Sequence, residues 1–152
     1  MDVAPYLSVI AALDFCAKLG GLDRIMNYNH DLAVRGGLAA ARILGTNVMD
    51  GTAPLYSQTG AMTNLRLPVI KSKVGSNAAL WLQSGAEAWF FQSLLNEFKT
   101  VIPVFEYTGV IWARFSAQVW LEVSDFEYGA RALLTLCERV NQGSAPNFLD
   151  GQ

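Results

Sequence analysis

Apolar residues recur along this chain at two spacings, near 3.6 and near 2, and the switches between them mark out the elements. Leu7, Ile10, Ala11, Cys16 and Leu19 predict a helix over 7–19, closed by Gly20-Gly21. A longer helix over 22–44 follows, with Leu22, Ile25, Met26, Ala33, Ala40, Ile43 and Leu44 on one face and Gly45 as its terminator. Gly36 and Gly37 fall inside it. A mid-helix glycine costs about 0.5–1 kcal/mol relative to alanine, so close packing against a neighbour is expected there. Asn47–Gly60, rich in Gly, Thr, Pro and Ser, reads as a loop, and Met62–Leu67 as a strand ended by Pro68. After a polar connection over 71–77, Ser84 and Glu87 have the spacing of a capping box that opens a helix running to Phe98. Val101–Tyr107 and Val110–Ala117 flank Thr108-Gly109 and predict a hairpin. In its second strand Trp112, Arg114 and Ser116 share one face, and Ile111, Ala113 and Phe115 the other. Ser124 and Glu127 suggest a second capping box, ahead of a helix carrying Phe126, Ala130, Leu133, Leu134, Cys137 and Val140. Residues 1–143 thus form one domain with a frayed tail over 144–152. The order of elements predicts an α+β fold, a small antiparallel sheet covered on one face by helices.

Composition adds a reason to look for a partner. Of 152 residues, 52% are hydrophobic and 16% charged, where about 45–50% and about 25% are usual. That apolar excess predicts burial against another surface. A net charge of −2 with no basic patch offers nothing to nucleic acid or to an anionic membrane. Cys16 and Cys137 lie in apolar helical patterns without zinc-ligand spacing, as buried thiols do. The start Met1-Asp2-Val3-Ala4-Pro5 lacks the features of a signal peptide, and no apolar run approaches the ~20 residues of a membrane span. A cytoplasmic location is the resulting expectation.

The stretch Trp112-Ala-Arg-Phe-Ser-Ala-Gln-Val-Trp-Leu-Glu-Val-Ser-Asp-Phe-Glu-Tyr128, followed by Leu136-Cys-Glu-Arg-Val140, resembles the closing segment of class V aminotransferase-fold enzymes. The similar branch is the one described as like isopenicillin N epimerase, neighbouring the cysteine desulfurases. Pro5-Tyr-Leu-Ser-Val-Ile-Ala-Ala-Leu-Asp-Phe15 and Gly20-Gly-Leu-Asp-Arg-Ile-Met-Asn-Tyr-Asn-His-Asp-Leu-Ala33 match in the same order. The resemblance implies the small C-terminal domain of such a pyridoxal-phosphate enzyme. It also implies that Arg114, in an Arg-x-Ser context with Ser116, grips a substrate carboxylate, with Trp112 and Gln118 beside it. A guanidinium suits that task because its planar fork meets a carboxylate with two parallel hydrogen bonds. The plainer alternative is a surface arginine paired with Glu106 or Glu122. The family's pyridoxal-binding lysine, pyridine-pairing aspartate and ring-stacking histidine belong to the large domain. No cofactor is therefore expected on this chain, and pyridoxal phosphate only if a separate large-domain partner brings it. Lys18, Lys71, Lys73 and Lys99 lie at helix ends or polar connections, away from any such role.

Other chemistry is sparse. His30, the single histidine, is the default acid–base candidate and is equally well read as a solvated helical residue. Asp31 follows it, pointing roughly 100° away around the helix. Glu106 and Tyr107 at the hairpin are further candidates for a pocket shared with Trp112 and Arg114, or for a plain hairpin end. Trp81, Trp89, Trp112 and Trp120 divide between core and interface. There is no P-loop, dinucleotide fingerprint, nucleophile elbow or metal cluster. Three functions follow as expectations. The first is a cofactor-free homodimer that binds a small organic metabolite, such as a carboxylate, and isomerises or cyclises it in a specialised pathway. The second is the small-domain subunit of a split pyridoxal-phosphate lyase, desulfurase or epimerase, and the third a non-catalytic binding module.

Overall fold

A computed structural model describes residues 4–49, 59–74 and 78–146. Helix α1 (Ala4–Lys18) and helix α2 (Leu22–Leu44) come first, then strand β1 (Met62–Arg66) and a 3₁₀ turn (Lys71–Lys73). Helices α3 (Ala78–Ser84) and α4 (Ala86–Phe98), strands β2 (Val104–Tyr107) and β3 (Val110–Ser116), and helix α5 (Val123–Asn141) complete the order. The strands form one antiparallel sheet, β1-β3-β2, so the fold is the expected α+β type. Thr108 and Gly109 take φ of 50° and 72°, the two positive values that a two-residue hairpin turn matching strand twist requires. The Glu106 carboxylate accepts the Gly109 N–H and locks that turn.

Period-2 alternation decides which face of the sheet the helices cover. Thr63, Leu65, Ile111, Ala113 and Phe115 point into the core, where the Phe115 ring stacks on Phe126 of α5 at 5.3 Å between centroids. Helix α2 reaches this core through two glycines. A Cβ at Gly36 would stand 2.6 Å from the Phe126 ring, and one at Gly37 2.9 Å from Thr63. Only hydrogen at both positions lets α2 settle on α5 and β1 together. The segment after α2 extends the sheet: Val48 bridges Leu65, the Met49 N–H donates to the Asn64 carbonyl, and the Arg66 N–H to that of Asn47.

Several expectations are corrected. Ser84 is not the N-cap of α4, a position that Gly85 takes: its hydroxyl donates to the Trp81 carbonyl at 2.8 Å, closing α3, and accepts the N–H of Ala86, the first residue of α4, at 3.1 Å. Gly85, at φ 72°, separates the two helices. The capping box of α5 is Glu122 with Asp125, Asp125 Oδ2 accepting the Glu122 N–H at 2.7 Å. A carboxylate accepts these orphan donors more strongly than the expected Ser124 hydroxyl, because the bond is charge-assisted. Strand β2 begins at Val104 because Pro103 has no N–H to give a ladder. Glu106 and Arg114 make no ion pair. Glu106 pairs in register with Ile111 and Arg114 with Asn64, which puts the two side chains on opposite faces.

The largest correction concerns the apolar face of α2. Its buried residues are Leu32, Ala33, Gly36, Gly37, Ala40, Ala41 and Leu44, all in the C-terminal two-thirds. Leu22 and Met26 are exposed, and α1 shows Leu7 and Ile10 each more than 70% exposed, with Val9, Leu13 and Phe15 over half. This end of the molecule stands off the core as a helical arm with apolar residues on several sides. Two polar contacts lie along it: the Tyr28 hydroxyl donates to the Leu121 carbonyl, and His30 Nδ1 lies 2.7 Å from that of Thr59. Beyond α5, Ser144 N–H folds back onto the Arg139 carbonyl and Ala145 packs on the core, while 147–152 lie outside the described residues.

Candidate functional site

The face of the sheet opposite the helix-packed core carries Trp112, Arg114 and Ser116 of β3, as the alternation predicts, beside Asn64 of β1 and Phe105 and Tyr107 of β2. Arg114 is exposed, and while its backbone N–H donates to the Pro103 carbonyl at 2.9 Å, its guanidinium makes no hydrogen bond or ion pair among the described residues. Its register partner Asn64 has a buried Oδ1 without a donor, so the guanidinium is not spent on its neighbour. Arg114 and Ser116 line a cleft of about 140 Å³ with Thr100, Pro103, Leu121 and Asp125. Asp125 is already engaged in the α5 cap. What remains is a planar cation, a hydroxyl two residues along the same strand, and an apolar rim. That set can take one carboxylate, with two N–H donors from arginine and one O–H from serine.

The remaining candidates from the sequence do not gather there. Tyr107 and Trp112 border a larger groove of about 690 Å³ beside the C-terminal turn of α2, with Arg42 and Asn47. Nothing in the sequence pattern singled out Arg42 or Asn47. The signal was Gly45, whose φ of 64° ends α2 and turns 46–49 alongside the sheet. His30 lies exposed on α2, Glu106 is engaged with the hairpin turn, and Gln118 is exposed after β3. These three line none of the cavities formed by Arg114 or by Trp112. Trp81 is buried, Trp89 half-buried, and Trp120 is 71% exposed.

The described residues do not fit a pyridoxal-phosphate site. All four lysines are exposed. Lys99 Nζ donates to the Asn96 carbonyl, and Lys71 Nζ lies by the Gly109 turn. Lys18 shares a shallow hollow with Arg24, Ile25 and Tyr28, whose lining includes neither a carboxylate for a pyridine nitrogen nor a histidine to stack on its ring. A Schiff base on an open surface would have nothing to orient it. Among the described residues no His, Cys, Asp and Glu form a group able to hold a metal ion, and no helix is long and apolar enough to cross a membrane.

No family model matches the chain. Known proteins do. The L-cysteine desulfhydrase-like proteins lolT1 and lolT2 of Epichloe uncinata are 35% and 34% identical over 91% of this chain. The hercynylcysteine sulfoxide lyase of Schizosaccharomyces pombe is 25% identical over 90%. The matched segments make up 34%, 33% and 30% of those proteins. The chain spans about a third of the length of the curated relatives it matches.

Proposed function

We propose that this chain supplies the carboxylate-binding side of a site acting on a cysteine-type amino acid or an S-substituted cysteine sulfoxide. Its relatives' names supply the substrate class, and the single observation that carries the reading is the exposed, unpaired Arg114 guanidinium beside Ser116 on the face of the sheet opposite the helix-packed core. Arg114 would hold both carboxylate oxygens and so fix the substrate's orientation, while Ser116 limits rotation about that contact. In an exposed cleft this is a weak grip. Covering the cleft would strengthen it, since the same charges attract more strongly once water is excluded. The described residues offer pyridoxal phosphate no site, and bond-breaking chemistry is therefore assigned to polypeptide outside them. The apolar arm formed by α1 and the start of α2 is the surface that such a cofactor-bearing portion would cover.

The cofactor-free isomerase or cyclase draws no support from the geometry, because His30 stands on α2 beside Thr59, and Glu106 and Tyr107, adjacent at the end of β2, point to opposite faces of the strand. The test is a titration of isotope-labelled protein with S-methylcysteine sulfoxide, followed by amide shifts. Shifts at Arg114 and Ser116 are expected, with none for the methyl ester. Arg114→Ala should weaken binding by roughly 10- to 100-fold, the value of a charge-assisted pair, and Arg114→Lys should recover part of it. Binding that ignores Arg114→Ala, or that treats acid and ester alike, overturns the proposal.

A further inference from the structure

The groove beside α2 is separate from the Arg114 cleft and has a different character. Its volume, about 690 Å³, falls within the ~300–1,000 Å³ typical of small-molecule sites. Leu38, Ala41, Val48 and Met49 give it an apolar side. Trp112 gives it an aromatic one: this residue is 8% exposed, yet stands outside the helix-side core to which the other buried apolar residues belong. Its indole N–H is committed to the Tyr107 carbonyl at 3.3 Å, which leaves the groove only apolar ring atoms from this residue.

Among the described residues one cation stands against those walls. Arg42 is exposed and takes part in none of the ion pairs among the described residues, which use Arg35, Arg131 and Arg139. Among the described residues no aspartate or glutamate lines the groove. At the end of α2 the Ala41 and Arg42 carbonyls already accept the Thr46 and Gly45 N–H groups at 3.0 and 3.3 Å, which reduces the negative charge an anion would meet there. Tyr107 also lines the groove, and its hydroxyl makes no hydrogen bond among the described residues.

We infer that this groove binds a small aromatic carboxylate, its ring against Trp112 and Met49 and its charge on Arg42. A flat ring suits the indole and aliphatic walls, where offset or edge-on aromatic contact adds to apolar burial. The guanidinium supplies two parallel N–H bonds to the carboxylate, and Tyr107 a third donor. Recognition here needs neither Arg114 nor any cofactor.

Phenylacetate and its neutral isostere phenylacetamide test this on the whole labelled chain, read at the Trp112 indole N–H and the Asn47 and Thr108 amides. Phenylacetate should shift all three and bind at least about tenfold more tightly than the amide, the scale of one charge-assisted contact. Arg42→Ala should abolish that difference, Arg42→Lys should keep part of it, and Arg114→Ala should leave it unchanged. Should Arg42→Ala disturb the spectrum, Arg42→Gln replaces it with a side chain of similar reach. Equal affinity for acid and amide, or shifts confined to Arg114 and Ser116, overturns the inference and leaves the Arg114 proposal to stand or fall on its own titration.

Discussion

Cys137 faces the core from α5 with none of its surface exposed, and burial pushes its thiol from an ordinary 9.0 up to about 12, with Glu138 adding to the rise. A thiol held neutral is a poor nucleophile. At pH 8 a disulfide reagent should therefore modify the half-buried Cys16 promptly and Cys137 only after urea is added; one fast equivalent, becoming two on unfolding, is the expected count. The same shift fixes a pH dependence. The folded state holds this proton more tightly than the unfolded chain, so its contribution is intact below pH 9 and is lost as pH rises from 9 towards 12. In Cys137→Ala, urea midpoints should fall less steeply over that window than in the parent. Residues of this kind are legible in sequence as apolar helical positions. Arg114 was legible by resemblance together with strand alternation. Arg42 was not, because its place in a groove depends on how 46–49 lies beside the sheet, and nothing in a helical pattern encodes that path.

Among the elements, α2 and α5 carry the tightest constraint. Their approach depends on Gly36 having no side chain, since a Cβ there would meet the Phe126 ring at 2.6 Å. Gly36→Ala would gain about 0.5–1 kcal/mol of helix propensity but overfill the crossing. The net effect should be a loss of about 1–3 kcal/mol, measured as a lower urea midpoint at unchanged slope. An equal or higher midpoint would mean that α5 can shift to admit the methyl group. The bounds of α2, the hairpin turn and the strand faces follow directly from periodicity and glycine placement. The helix starts at α4 and α5 do not. Ser84 and Ser124 had cap spacing, but Ser84 is held by the turn behind it and Glu122 offers the stronger acceptor.

At the scale of the molecule, two surfaces differ in kind. The helix-covered side of the sheet is a closed core, whereas α1 and the first turns of α2 expose Leu7, Ile10, Leu13, Phe15, Leu22 and Met26. A helix apolar on several sides is ordinarily buried. Sequence patterning marked α1 as apolar but not as detached, because periodicity reports a face and not what lies against it. Replacing Leu7, Ile10 and Leu13 together by serine should leave the urea midpoint nearly unchanged, as substitutions of exposed groups do. Sedimentation velocity should show less self-association than the parent, and lower binding to any cofactor-bearing portion supplied. If parent and variant sediment alike as monomers and bind that portion equally, the arm is not the contact surface.

The extension of the sheet by 46–49 also limits how copies of this chain can stick together. On one side the β1 backbone is already paired by Asn47, Val48 and Met49, and on the other β2 is four residues long and preceded by Pro103. Little unpaired ladder is left to template a strand from a neighbour. Aggregation in concentrated solution should therefore proceed by helix contacts, reversible on dilution, rather than by fibre-like stacking of strands.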